Sequence, residues 1–123
     1  MKSIILFLIA FLLLISACSK ENSSNGTAPL QGDIKEFKIT AKQFAFEPET
    51  IEINKGDKVR LIVTSMDVPH GFSIPEYGIN ERLDVGKPVT IEFIANKEGS
   101  FSSFCSVFCG SGHSKMKGKI IVK

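Results

Sequence analysis

The sequence contains no tryptophan, one tyrosine and only two histidines among its 123 residues. Its charges are almost balanced, with 15 Lys and Arg against 13 Asp and Glu, and no basic patch stands out along the chain. A protein that binds nucleic acid through its phosphates needs such a patch, so we exclude that class. The sequence has ten phenylalanines, two of them in the apolar run at the start of the chain, and we expect a hydrophobic core built largely from phenylalanine, isoleucine and valine.

Helix patterns are also nearly absent, whereas short stretches of alternating apolar and polar residues recur along the chain. Parallel βαβ units need helical crossovers, for which the sequence has no room. Seven or eight short strands separated by turn residues predict an all-β fold, a Greek-key antiparallel sandwich or barrel. The phase of the apolar residues changes near Lys42-Gln43, which predicts a bulge or bend there. The main strand candidates are 36–46, 50–54, 58–65, 71–74, 89–95, 100–104 and 118–122.

The first 17 residues have the pattern of a secretory signal peptide. Met1-Lys2 provides a positive start, residues 4–15 are an unbroken apolar run, and small residues precede Cys18. The apolar run is shorter than the about 20 residues that a membrane-spanning helix needs. A small residue before a cysteine resembles a bacterial lipobox, so we predict that Cys18 becomes the first mature residue and carries a lipid. An uncleaved anchor helix is the alternative.

A polar segment separates this signal from the rest of the chain. Residues 18–33 are rich in Ser, Asn, Gly and Pro and cannot bury enough apolar surface to fold alone. We predict a flexible tether whose root-mean-square reach is on the order of 20 Å. The folded domain is then 34–123, which is large enough for one modest core. We expect it to lie outside the cytoplasmic membrane, in the periplasm or at the cell exterior, anchored by its lipid.

Four potential metal ligands lie in the loop between the last two predicted strands: Cys105, Cys109, His113 and Met116. A structural disulfide between the two cysteines is one interpretation, because exported proteins live where thiols oxidise. Such a bond would close a very small loop and add little stability, and it leaves both histidines and the methionine unexplained. Zinc bound by two Cys and two His is a second interpretation, but it would not use Met116.

Copper is the interpretation that uses all of these residues. His70 lies in an earlier loop, and loops at one end of a Greek-key sandwich converge, so His70 can join the site. One Cys, two His and a weak Met form the ligand set of a blue-copper electron-transfer site. Cys105 is then a second thiolate. Two bridging sulfurs can hold two copper ions, with Met116 as the weak ligand of one and a carbonyl as that of the other.

Two segments, 68–80 and 103–123, resemble the binuclear copper A (CuA) domain of cytochrome c oxidase subunit II. The spacing Cys-x3-Cys-x3-His-x2-Met matches over 105–116, and Asp-Val-x-His matches over 67–70. Residues 42–61 are similar to the strand pair that precedes the histidine loop in cupredoxins. The CuA domain of nitrous oxide reductase shares the loop spacing, although Cys-Gly-x-Gly-His looks closer to the oxidase version. The resemblance implies a cupredoxin-type fold and a centre of two copper ions.

The same resemblance implies a role for each residue of the motif. Cys105 and Cys109 would bridge both coppers, and His70 and His113 would each bind one copper. Met116 would be the weak ligand on one copper. The backbone carbonyl of the residue two positions after the first cysteine, Val107, would bind the other copper.

The function that the resemblance implies is electron transfer by a membrane-tethered domain. Electrons would pass from a cytochrome c or another small donor to subunit I of a haem-copper oxidase or a related reductase. The sequence offers no acid–base pair or nucleophile set, so we expect no catalysis by this chain alone. At most it would be the electron-accepting subunit of an oxidase. An extracytoplasmic copper chaperone, scavenger or sensor is the alternative function.

The sequence departs from the family at two positions that matter for partners. Many family members receive electrons through a tryptophan, which this chain lacks, and often carry an acidic residue where this chain has Val107. Four phenylalanines near the motifs are candidates to line the electron path in its place: Phe44, Phe46, Phe72 and Phe108. We also expect Val107 and Phe108, with Phe104, to shield the site from water.

Overall fold

A computed structural model describes residues 33–123; the predicted signal peptide (1–17), Cys18 and the predicted tether before residue 33 lie outside the described residues. The described part is all-β, as predicted. It contains nine strands: β1 (Ile34–Lys42), β2 (Ala45–Glu47), β3 (Thr50–Ile53), β4 (Lys58–Ser65), β5 (His70–Ile74), β6 (Ile79–Leu83), β7 (Val89–Ile94), β8 (Gly99–Phe104) and β9 (Lys117–Val122). Its two helices are short 3₁₀ turns, Pro75–Tyr77 and His113–Lys115, and neither could cross a membrane.

The strands form two sheets. The first has the order β2-β1-β4-β7, and the second has the order β3-β9-β8-β5-β6. The chain changes sheet after β2, β3, β4, β6 and β7, so consecutive segments repeatedly cross from one layer to the other. This arrangement confirms the predicted sandwich.

Two strand pairs are parallel, whereas the sequence predicted an antiparallel sandwich. β1 runs parallel to β4 from the pair Ile34↔Lys58 to the pair Ala41↔Ser65, and β3 runs parallel to β9. No helical crossover is required because β3, which lies between β1 and β4 in sequence, belongs to the opposite sheet. The sandwich itself therefore provides the return path that a βαβ unit would take through a helix.

The predicted bulge near Lys42-Gln43 is a two-residue turn. Gln43 and Phe44 connect β1 to β2, and these strands pair antiparallel, with Lys42 opposite Ala45. The phase of the apolar residues changes because the chain reverses direction. The first sheet approaches the predicted ligands at this turn, where the Gln43 side chain bonds the carbonyl of Cys109.

The core lies between the two sheets and follows strict alternation along β4. Val59, Leu61 and Val63 are almost fully buried, while the residues between them are partly exposed. Phe46 from the first sheet and Phe72 from the second meet edge to face, with ring centroids 5.1 Å apart. Such pairs add roughly 0.5–1.5 kcal/mol beyond the area that they bury. This contact fixes β2 against β5, the strand that begins with His70.

Candidate metal centre

The loop between β8 and β9, residues 105–116, is called the ligand loop below. It is closed at its base by main-chain hydrogen bonds: Phe104 pairs with Lys117, and the N–H of Cys105 donates to the Met116 carbonyl over 3.1 Å. Near its end, the N–H of His113 donates to the Gly110 carbonyl over 3.1 Å, which leads into the 3₁₀ turn. The hairpin thus fixes the backbone from which the predicted ligands extend.

Cys105 and Cys109 are free thiols, and both are buried. Their Sγ atoms lie 3.6 Å apart, well beyond the about 2.05 Å of a disulfide bond. The structure therefore holds two adjacent thiols rather than the disulfide of the alternative interpretation. With His70 they form a group of three potential metal ligands whose donor atoms all lie within 4.8 Å of one another.

The remaining predicted donors surround the two sulfurs. The Sγ atom of Cys109 lies 3.7 Å from Nδ1 of His113 and 3.8 Å from Sδ of Met116. The Sγ atom of Cys105 lies 3.1 Å from the carbonyl oxygen of Val107. The structure therefore brings every residue that the sequence predicted as a copper ligand to one place, and Met116 is completely buried there.

His70 reaches the site from outside the ligand loop, at the point where the connection from β4 enters β5. It is the first residue of β5 rather than a loop residue, and its side chain is fully buried. Its Nδ1 lies 3.7 Å from Sγ of Cys105, while its Nε2 lies 2.8 Å from Oδ1 of Asp67. A carboxylate in this position accepts a hydrogen bond from the Nε2–H group and leaves the Nδ1 lone pair directed at the thiols, which is the orientation that a metal-binding imidazole needs.

Asp67 is itself held by two backbone groups. The N–H of Gln43 donates to Oδ2 and the N–H of Val68 donates to Oδ1, each over 2.7 Å. Partial burial opposes ionisation, but the hydrogen bonds from Gln43, His70 and Val68 outweigh it and hold the pKa of the Asp67 carboxyl below its usual value. An ionised carboxylate is thereby fixed behind the His70 ring.

The Cys109 thiol, in contrast to the Asp67 carboxyl, has a raised pKa. Burial raises the pKa of the Cys109 thiol to about 11, and the adjacent Cys105 adds to the rise through a hydrogen bond and through charge. Without a metal, this sulfur therefore keeps its proton at neutral pH. A metal that binds here must displace that proton, as is usual for thiolate sites.

Two glycines allow the ligand loop to approach its supports. A Cβ atom on Gly71 would lie 2.1 Å from Oγ of Ser106 and 2.8 Å from the backbone nitrogen of Val107. A Cβ atom on Gly112 would lie 2.3 Å from the Phe44 ring. Gly71 was not among the residues predicted from the sequence, although its position directly after His70 was a signal. The Gly71 N–H also points at Sγ of Cys105, at 3.5 Å.

Gln43 was also missed. It holds Asp67 through its backbone, and its side-chain Nε2 donates to the Cys109 carbonyl over 2.7 Å. Nothing in the local sequence distinguishes this glutamine from an ordinary polar turn residue. Its partners are 24 and 66 residues away, so only the folded chain reveals them.

The surface above the site differs from the expected apolar shield. Phe108 is 78% exposed and Phe104 is 37% exposed, so these rings cover little. Phe46 and Phe72 are deep in the core and do not reach the surface. The Phe108 ring packs against the ring of His113, with centroids 5.6 Å apart, and His113 is partly exposed.

The donor set identifies the kind of metal that fits. Thiolate and thioether sulfurs are soft donors, and together with imidazole nitrogens they suit copper. Structural zinc sites use four thiolate or imidazole ligands, and zinc ligands in general are thiolates, imidazoles and carboxylates, which leaves no role for a thioether. The Sδ atom of Met116, buried at 3.8 Å from a thiol, is therefore the observation that favours copper over zinc.

The profile of the cupredoxin-like domain matches residues 5–122 of this chain. Among curated proteins, the chain is 36% identical over 90 residues to nitrous-oxide reductase of Cupriavidus necator, which covers 70% of this chain and 14% of that protein. It is 33% identical over 85 residues to cytochrome c oxidase subunit 2 of Thermus thermophilus, which covers 69% of this chain and 63% of that protein. The chain thus spans between about one seventh and three fifths of the length of these relatives.

Two solved structures show the same fold. A chain of a heme-copper terminal oxidase dimer, determined by cryo-electron microscopy, is 28% identical with a TM-score of 0.67, over 98% of this chain and 94% of that chain. The periplasmic domain of subunit II of cytochrome oxidase from Bradyrhizobium japonicum is 24% identical with a TM-score of 0.67, over 72% of this chain and 83% of that chain. The resemblance to oxidase subunit II that the motifs implied is confirmed.

Proposed function

This chain belongs to the cupredoxin-like domain family, and on that premise we propose that it is an electron-transfer protein with a binuclear copper centre. His70, Cys105, Cys109, His113, Met116 and the carbonyl of Val107 would hold two copper ions. Copper supplies a one-electron redox couple when it is bound. The similarity to the CuA domain of oxidase subunit II supports copper-based electron transfer in general.

One observation carries the proposal of two metal ions: both thiols are free, adjacent and surrounded by imidazole, thioether and carbonyl donors. A single blue-copper site needs one thiolate. Here Cys105 and Cys109 each have their own imidazole nitrogen at 3.7 Å. Two thiolates with two separate sets of neighbours match two metal ions better than one.

The folded chain prepares this site for electron transfer. The side chains of His70, Cys105, Cys109 and Met116 are at least nine-tenths buried, so little water reaches them. Asp67 fixes the His70 ring, and the hairpin base fixes Cys105 and Met116. Ligands that are held in place before the metal binds move little when the charge of the metal changes. A small movement means a low reorganisation energy for electron transfer.

The same burial argues against the alternative of a copper chaperone, scavenger or sensor. A protein that passes copper to a partner needs ligands that the partner can reach. Among the predicted side-chain ligands, all within the described residues, His113 alone is partly exposed.

We further propose the setting in which the domain works. Cys18 would be lipidated after removal of residues 1–17, residues 18–33 would form the tether, and 34–123 would be the CuA-like domain on the outer side of the membrane. The donor would be a cytochrome c or another small carrier, and the acceptor subunit I of a haem-copper oxidase or a related reductase. The names of the relatives, cytochrome c oxidase subunit 2 and nitrous-oxide reductase, support this class of partner.

Metal content and the electron paramagnetic resonance spectrum of the copper-loaded full chain test the centre. We expect two coppers per chain and one unpaired electron split by two equivalent copper nuclei. Cys105→Ser should hold no more than one copper, because it leaves a single thiolate. Cys18→Ser, which changes a cysteine that is not among the predicted ligands, should keep both. One copper in the unaltered chain, split by a single nucleus, would refute the binuclear centre.

Two further measurements separate electron transfer from copper handling. In stopped-flow mixing with reduced cytochrome c, the loaded chain should be reduced and should keep its copper in the presence of a chelator. Rapid loss of copper to the chelator, without reduction by any small donor protein, would favour the handling function.

The lipid anchor is tested by the substitution Cys18→Ser, which should move the protein from the membrane fraction to the soluble fraction.

A further inference from the structure

We propose that Gln43 is a positioning residue that couples the two ligand-bearing segments of the site, the ligand loop and the strand start at His70. The inference deepens the proposed function and rests on it for the identity of the metal. Gln43 would not bind copper. It would set the positions of Cys109 and His70 relative to each other.

The first arm of this coupling is the side chain. Nε2 of Gln43 donates to the carbonyl of Cys109 over 2.7 Å, in a partly buried hydrogen bond. No backbone N–H in the loops of the described residues donates to that carbonyl. The amide also lies directly against the next residue, because a Cβ atom on Gly110 would come within 3.0 Å of Nε2. Gln43 thus fixes the peptide that follows a thiol.

The second arm is the backbone. The N–H of Gln43 donates to Oδ2 of Asp67 over 2.7 Å, and the other oxygen of the same carboxylate accepts from Nε2 of His70 over 2.8 Å. A chain of three hydrogen bonds therefore runs from the Cys109 carbonyl through Gln43 and Asp67 to His70. The ends of this chain of hydrogen bonds are Cys109, in the loop between β8 and β9, and His70, at the start of β5. Between them, Gln43 lies in the turn that joins β1 and β2 of the first sheet, and Asp67 lies in the connection from β4 to β5.

The two arms can be separated experimentally because one is a side chain and the other is not. Every substitution at position 43 except proline keeps the backbone N–H that donates to Asp67. Gln43→Met keeps the length of the side chain and removes the donor. Gln43→Lys restores an N–H donor on a flexible chain. Lys42→Met is the matched control, since it breaks the Lys42–Glu47 ion pair (2.6 Å) of the same hairpin without reaching the ligand loop.

The first test uses the copper-loaded full chain. Partners that orient metal ligands typically change metal affinity by 10- to 100-fold when they are removed. We expect Gln43→Met to release copper to a chelator about tenfold faster and to change the copper hyperfine splitting. Gln43→Lys should recover both properties in large part, and Lys42→Met should leave both unchanged. A Gln43→Met protein with the native release rate and spectrum would overturn the proposal, even if it unfolds at a lower temperature.

The second test needs no metal. In the metal-free chain carrying Cys18→Ser, a thiol reagent can reach Cys105 and Cys109 only when the loop opens, because both are buried. We expect Gln43→Met, and not Lys42→Met, to react several-fold faster. If the unaltered chain binds no copper, the proposed function fails, whereas this reaction still decides whether Gln43 holds the loop. Equal rates for the two variants would contradict the positioning role.

Discussion

Oδ1 of Asp67 and Nε2 of His70 form a 2.8 Å hydrogen bond within a single turn of chain, and the His70 ring that it orients is completely buried. The two residues are three positions apart, so the end of β4 and the start of β5 determine both together. The carboxylate is only partly buried, which allows it to stay ionised while its partner faces the thiols. A local pair thus prepares one ligand of a site whose other ligands lie 35 and more residues further along the chain.

Asp67→Ala should weaken copper binding about 10- to 100-fold, because the His70 ring loses the acceptor that fixes its tautomer and its orientation. Competition with a chelator of known affinity measures the effect. Asp84→Ala is a suitable control, since Asp84 is exposed and pairs with Arg82 at the surface. Equal affinity of the Asp67 variant and the native chain would show that the hydrogen bond does not support a ligand.

Gly71→Ala should disturb the centre as well as the fold. Its Cβ would meet Ser106 at 2.1 Å, and a crowded substitution of this kind costs roughly 1–3 kcal/mol of the free energy of unfolding. We expect a lower midpoint of thermal unfolding and an altered copper spectrum. Gly56→Ala separates the two effects, because position 56 has a positive φ of 94° but open space around it. That variant should lose stability and keep the native spectrum.

Met116→Leu tests the weak ligand. Leucine has a similar volume, so the metal-free protein should lose less than about 1.5 kcal/mol of stability even though the site is fully buried. The reduction potential of the loaded protein should rise, because loss of an electron-donating sulfur destabilises the more oxidised state. Potentiometric titration followed by visible absorption measures the shift. Met66→Leu, at a position that is 65% exposed, should leave the potential unchanged. An unchanged potential in Met116→Leu would remove Met116 from the ligand set.

Phe108→Ala tests the route by which electrons arrive. Because the ring is 78% exposed, its removal should change the free energy of unfolding by no more than about 0.5 kcal/mol and leave the copper spectrum intact. The second-order rate of reduction by cytochrome c should fall about tenfold, which corresponds to about 1.4 kcal/mol. Phe104→Ala is the control, since that ring is also at the surface but Phe108 is the one packed on His113. If Phe108→Ala is reduced as fast as the unaltered chain, Phe108 is excluded from the contact.

The ligands could be predicted from sequence because their spacing is local. Cys105, Cys109, His113 and Met116 lie within 12 residues, and a hairpin base holds both ends of that segment. Gln43 and Gly71 could not be predicted in the same way. Their importance depends on atoms that folding brings close from 24 to 66 residues away.

The strands, like the site residues, were predicted from the sequence only in part. Alternation in β3, β4, β7 and β9 gave their positions, whereas β6 was missed because Ile79 and Leu83 are its only buried residues and the three residues between them are polar and exposed. The relative direction of paired strands could not be predicted from the alternation of apolar and polar residues either, because that alternation is the same in parallel and antiparallel pairs. The parallel pairs β1–β4 and β3–β9 therefore appear only in the structure.

The strand order β3-β9-β8-β5-β6 determines which parts of the second sheet can open locally. The three strands that carry the ligands, β8 and β9 around the ligand loop and β5 with His70, are all interior strands, and none forms an edge of its sheet. Amide hydrogens at edges exchange with solvent through small local openings, while those of interior strands wait for larger ones. Small local openings at the edges β3, β6 and β7 would therefore leave β9, β8 and β5 paired with one another, whereas the edge strand β2 is held to β5 by the contact between Phe46 and Phe72. We therefore expect the amide hydrogens of the interior strands that lead to the ligands to exchange more slowly than those of the edge strands of the same sheet.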